Sequence, residues 1–181
     1  MVTKKTTPSW SDVKTKLTDF DRAGLLALVQ DLYAASKENQ AFLHTRFGLG
    51  GDVLKPYKSA IERWLWPDLF KQQDTSVAKA KKAISDYKKA IGRPEDLAEL
   101  MVFFCERAAG FCDDVALQNE AYFDALVRMF EQAAKQVRSL PAERHEVFGA
   151  RLVAACQHCR DLGYGVYDEV RDILAEHGFE T

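Results

Sequence analysis

Apolar residues in this chain recur at intervals of three and four from one end to the other, and no convincing run alternates with a period of two. That pattern restricts the chain to packed helices, because a half-buried strand needs alternation whereas a helix repeats its face about every 3.6 residues. Glycine, proline and capping residues cut the pattern into about nine helices. A short one lies near Ser11 to Leu17, followed by one at Asp21 to Ala35 with Leu25, Leu28, Val29 and Leu32 on one side. Ser36 caps the next, which runs through Phe47 and stops at Gly48. Asp52 is expected to cap a helix with Pro56 in its first turn and the stripe Leu54, Tyr57, Ile61, Trp64 and Leu65, closed by Pro67. Ser76 opens a lysine-rich helix ending at Gly92, and Pro94 introduces the segment Glu95 to Asp113. Asn119 to Ser139, Pro141 to Leu162 and Val166 to Glu176 complete the set, with Gly163 and Gly178 as stops. Short connections make neighbours mostly antiparallel, and no helical-repeat period is present, so the expected architecture is all-α, a single compact helical bundle.

Length and composition agree. A chain of 181 residues that is 47% hydrophobic, with ten glycines and five prolines, can bury a core without cross-links. The expected organisation is a flexible tail at residues 1–8 and one helical domain at 9–181. "MVTKKTTPSWSD" has two lysines but no apolar run behind them, so it reads as a tail and not as a signal peptide. No later run reaches membrane-spanning length, which argues against a membrane partner. Four cysteines in a chain that needs no staple indicate reduced thiols, and a cytoplasmic, bacterial location is expected.

Charge is unevenly distributed. Residues 1–93 carry 17 Lys+Arg against 10 Asp+Glu, and residues 94–181 carry 8 against 17. The domain thus has a basic half, 9–93, and an acidic half, 94–181. Such asymmetry fits a basic surface for a polyanion, or halves that attract each other within or between copies. The basic surface concentrates in "SVAKAKKAISDYKKAIGR", where Val77, Ala80, Ile84, Tyr87 and Ile91 form the inner face. Lys79, Lys82, Lys89 and Arg93 line one outer flank, with Lys81 and Lys88 on the other. This ridge is a candidate partner-binding surface; it would also neutralise phosphates, although it lacks interleaved stacking aromatics.

The C-x-x-C pair Cys156 and Cys159 is the feature most suggestive of chemistry. Both thiols project onto the apolar face of Phe148 and Leu152, while His158 turns toward Arg151, and "ARLVAA" places the pair in mid-helix rather than at an exposed helix start. Helix core is therefore the expected role, with Cys105 and Cys112 the only further thiols that would complete a metal site. "GLGGDVLK" resembles a phosphate loop but follows a helix, "ERHEV" lacks the second zinc-protease histidine, and "CDD" with Glu120 and Asp124 reads as helix-terminal acids. No Ser-His-Asp or Cys-His set can be ordered, so no catalytic residue, cofactor or metal is assigned. "LMVFFC" is apolar around much of its helix and predicts a central position; Phe103 there projects among Asp96, Glu99, Glu106 and Arg107. It is either covered by another helix or an interface anchor.

"LLALVQDLYAASKENQAFLHTRF", "KAISDYKKAIG" and "DLGYGVYDEV" together resemble a group of small, uncharacterised bacterial helical proteins, a domain of unknown function. The resemblance implies a bacterial origin and an all-helical fold, and it carries no residue roles. The expected function is a protein-protein interaction or accessory module without catalysis, binding another protein or itself. A nucleic-acid-associated protein using residues 76–93 is the alternative, and a small metal-binding protein the third reading.

Overall fold

In the computed structural model, which describes residues 7–49 and 51–179, the local signals become nine α-helices and two 3-10 turns, with no strand among the described residues. Residues 1–6 of the expected tail lie outside that range; Thr7 and Pro8 are non-helical and exposed. Contacts divide the chain into two units, residues 1–44 and residues 45–181.

The first unit holds α1 (Trp10–Leu17), α2 (Arg22–Ala35) and most of α3 (Lys37–Arg46). Each starts on a polar cap. Asp12 bonds back to Ser9, Asp21 accepts from the Gly24 amide at 2.7 Å, and Ser36 accepts from Asn39 at 3.1 Å. Between helices the links are polar: Asn39 donates to the Leu32 carbonyl at 2.6 Å, and Tyr33 and His44 share a 2.9 Å hydrogen bond.

The second unit holds α4 (Lys55–Leu65), α5 (Val77–Ala90), α6 (Pro94–Asp114), α7 (Glu120–Arg138), α8 (His145–Gln157) and α9 (Val166–Glu176). Turns of 3-10 helix at Leu69–Lys71 and Ala142–Arg144 join some of them. Every member of the apolar core lies between Tyr57 and Phe179. The apolar girth of "LMVFFC" has the expected consequence: α6 is central, packing against α4, α5, α7 and α8, and buries Leu97, Leu100, Val102, Phe104, Cys105 and Phe111. Gly110 allows one of these contacts, since a Cβ there would lie 2.8 Å from the Trp66 ring. The stripe of α4 faces inward through Tyr57, Ile61 and Leu65. Tyr57 donates to the buried Thr45 hydroxyl at 3.2 Å, and Arg46 donates to the Ala90 carbonyl at 2.9 Å, satisfying an acceptor at the end of α5.

Three boundaries differ from the sequence reading; the helix expected from Pro141 opens as the 3-10 turn Ala142–Arg144, and α8 itself starts at His145. Asp52 does not cap α4 directly; it accepts from the Leu54 amide at 2.9 Å, Leu54 occupies the cap position, and Pro56 sits at the helix start as expected. Helix α8 ends at Gln157 instead of Leu162, because the chain tightens there into successive i to i+3 bonds, His158 to Ala155, Cys159 to Cys156 and Leu162 to Cys159. The C-x-x-C pair therefore straddles a helix end and is not mid-helix. Cys159 and Leu162 still point inward because the tightened turn keeps the same face toward the core.

Candidate interaction surfaces

The lysine ridge is less uniform than its projection. Ser76 accepts from the Lys79 amide and starts α5, whose inner face buries Ala80, Ile84 and Tyr87 and half-buries Val77 and Ile91. On the outside, the Lys79 ammonium lies 3.8 Å from the Trp64 ring centroid, and Lys82 pairs with Asp86 at 2.7 Å. Lys81 is half-buried; burial, with Arg128 nearby, pushes its ammonium below the ordinary lysine value. Lys88, Lys89 and Arg93 are exposed at the C-terminal end. The cations thus divide between contacts within the fold and one exposed end, a weaker polyanion track than six aligned charges.

Phe103 lies in a shallow groove. On α6 the residues Glu99, Phe103, Glu106, Arg107, Gly110 and Asp113 form one stripe, flanked by Lys58 and Glu62 of α4, by Trp66 just past its end, and by Arg151 of α8. Phe103 is half-buried against the core, with Lys58 5.4 Å and Arg107 5.5 Å from its ring centroid, so intramolecular cations cover it in place of a further helix. Arg151 bridges Glu99 at 2.5 Å and Glu106 at 2.7 Å, and Lys58 closes the row on Glu99 at 2.6 Å. Burial works to raise the Glu99 carboxyl, but the hydrogen bonds and charges of Arg151 and Lys58 outweigh it and hold the group below the usual range.

Farther along the stripe, His158 pairs with Asp113 at 2.7 Å beside a cavity of about 350 Å³ walled by Trp66, Arg107 and Gly110. The Arg107 guanidinium spans the Trp66 and Phe103 rings and leaves its Nε buried without a hydrogen-bond partner. Glu99, Glu106 and Arg107 share the helix face of Phe103 and are legible from the sequence, whereas Lys58, Trp66 and His158 come from distant segments. A second hollow of about 560 Å³ lies where Phe179 packs on Gly149 and Arg138 covers the Phe179 ring.

The four cysteines are buried free thiols, and burial raises all of them, Cys112 up to about 12. Cys159 is close enough to sense Cys156 and Cys112 electrostatically, and Cys105 senses Cys159, so the thiols gather between α6 and the end of α8. Among the described residues no group of three His, Cys, Asp or Glu side chains is placed to hold a metal ion. In "GLGGDVLK" Gly50 lies outside the described residues, and the carboxylate of Asp52 already takes a backbone amide where a phosphate would sit. The "CDD" acids disperse, Asp113 to His158 and Asp124 to Arg128. His145 is half-buried and not solvated as its first-turn position predicts, since it bonds both the Leu140 carbonyl and Arg138.

The first unit presents a surface of another kind. None of residues 7–44 is buried. On α2 the residues Leu28, Leu32, Leu25, Val29, Tyr33 and Leu26 form one broad apolar stripe, in which Leu26 is 63% and Leu32 52% exposed. Trp10 at 70%, Val13, Phe20 and Phe42 of the same unit are exposed as well. The sequence shows this stripe plainly, but a stripe facing a core and one facing outward are written identically.

No helix of the described residues is long and apolar enough to cross a membrane. The chain matches no protein-family model, no curated protein and no solved structure.

Proposed function

We propose that this chain is a non-catalytic protein-binding module whose N-terminal helices supply the contact surface. The observation carrying this reading is the first unit, in which none of the 38 described residues is fully buried and nine large apolar ones stand exposed. Five of the nine share the stripe on α2, and an exposed apolar stripe of that kind is rare on a finished monomer and marks an interaction site. Helices as short as α1 and α2, with no fully buried residue, are also marginal in water, so a partner that covers them supplies the stabilisation they lack. The groove on α6 supports binding over catalysis, since its carboxylates and cations are engaged with one another instead of converging on an open reacting position.

Photo-crosslinking in living cells tests the reading. A photoreactive residue replacing Leu26 should give covalent protein adducts far above one replacing Glu143, which is exposed on the second unit. Equal yields at the two positions would reject the N-terminal helices as the contact surface.

A further inference from the structure

We propose that the hollow beside α8 and Phe179 binds a small amphipathic carboxylic acid, with the apolar body along α8 and the carboxylate on Arg138. The hollow lies wholly within the second unit, so it does not depend on the N-terminal surface. Its volume of about 560 Å³ falls in the range of small-molecule sites, which are lined mostly by apolar groups with a few polar ones that orient the ligand. Along α8 the wall is made by Ala150 and Ala154, both exposed, and the half-buried Val153. Phe179 completes it by lying on Gly149, where a Cβ would come within 2.5 Å of the ring. A second glycine places the charge: Gly178 has φ +70°, and a Cβ there would lie 2.7 Å from Arg138 Nη2, so its absence lets the guanidinium settle over the Phe179 ring.

Arg138 is held there without being neutralised. Its Nη1 lies 3.1 Å from His145 Nδ1, and His145 Nε2 lies 2.8 Å from the Leu140 carbonyl oxygen. A carbonyl only accepts, so Nε2 carries the proton and Nδ1 takes the hydrogen bond that Arg138 donates. The imidazole thus positions the guanidinium without opposing its charge, and no carboxylate among the described residues pairs with Arg138. The acid that lines the hollow, Glu146, is exposed and can stay in water. An unpaired guanidinium at the edge of an apolar hollow selects an anion, and its planar fork matches a carboxylate. A bare phosphate would find one cation and leave the apolar wall uncovered, whereas from Glu146 to Ala154 the helix rises about 12 Å, which suits a medium-length acyl chain.

Amide chemical shifts of the full chain titrated with decanoate test the proposal. The Gly149, Ala150, Val153 and Gly178 amides should move together, with a dissociation constant on the order of 100 µM. Decanamide, which has the same body without the charge, should bind at least about tenfold more weakly. Arg138→Met keeps an apolar stem over the Phe179 ring; it should weaken decanoate by at least about tenfold and bring it level with decanamide. Ala150→Phe, at an exposed position, should fill the hollow and weaken both ligands. Leu26→Asp with Leu32→Asp should bind decanoate as the parent does, because α2 is not part of the site. Decanoate affinity unchanged in Arg138→Met, or lost in the double aspartate variant, overturns the site. So does the absence of any shift at Gly149 and Gly178 up to about 1 mM decanoate.

Discussion

Burial of a titratable side chain has opposite consequences according to whether a partner is buried with it. Cys105, Cys112, Cys156 and Cys159 lie among apolar side chains, and removing their thiolates from water raises each of them. The thiolate is the reactive form, so the folded chain should give almost no reaction with a thiol reagent at pH 8, and four equivalents after denaturation. A rapidly reacting thiol in the native protein would show that the core between α6 and the end of α8 opens. Glu99 is the converse case. Its carboxyl is depressed by Arg151 and Lys58 despite burial, so its contribution to stability is fully present above the unfolded value of about 4.3 and is lost as pH falls through the lower folded value. Chemical denaturation between pH 3 and pH 6 should therefore show a stability loss on the acid side that Glu99→Gln reduces. Arg151→Ala should cost about 2 kcal/mol at neutral pH by leaving Glu99 and Glu106 underpaired. Phe103→Ala should cost about 1 to 2 kcal/mol, below the range for a fully buried ring, because half of that side chain is already outside the core.

Within α5, equal lysines are expected to behave unequally. Lys79→Gln removes the contact with Trp64 and should cost about 0.5 to 1 kcal/mol in urea denaturation. Lys88→Gln and Lys89→Gln, on the exposed end, should stay within about 0.5 kcal/mol of the parent. Equal effects at positions 79 and 89 would mean that the ammonium does not rest on the ring. The stop of this helix is stricter. Gly92 has φ +68°, and a Cβ there would lie 2.7 Å from the Lys88 carbonyl oxygen, so Gly92→Ala should lower stability by at least about 1 to 2 kcal/mol. Glycine, proline and cap signals of this type made the helices legible in the sequence, because they act within four residues. The end of α8 was not legible: no glycine or proline stands at Gln157, and the turn there is tightened by packing around Cys159 and Leu162. The groove was half legible for the same reason. Glu99, Phe103 and Glu106 share one helix face, whereas Lys58 and Arg151 reach Glu99 from 41 and 52 residues away.

The two units bury apolar surface very differently, and a denaturant slope measures that difference directly. The m-value of urea unfolding scales with the surface exposed on unfolding, so it weights residues by burial instead of counting them. Residues 1–44 are nearly a quarter of the chain, yet none of residues 7–44 is buried, and every member of the apolar core lies at or beyond Tyr57. A chain beginning at Lys37 keeps all of α3, and with it the Tyr57 to Thr45 hydrogen bond and the Arg46 tie to α5, as well as every residue of the apolar core. At concentrations too low for association it should unfold cooperatively, with an m-value within about 10% of the full chain's, the reproducibility of the extrapolation itself. Its melting temperature should lie within about 3 °C of the full chain's. An m-value that falls in proportion to the residues removed would show that the N-terminal helices bury as much surface as the others and would remove the basis for reading them as an open contact surface.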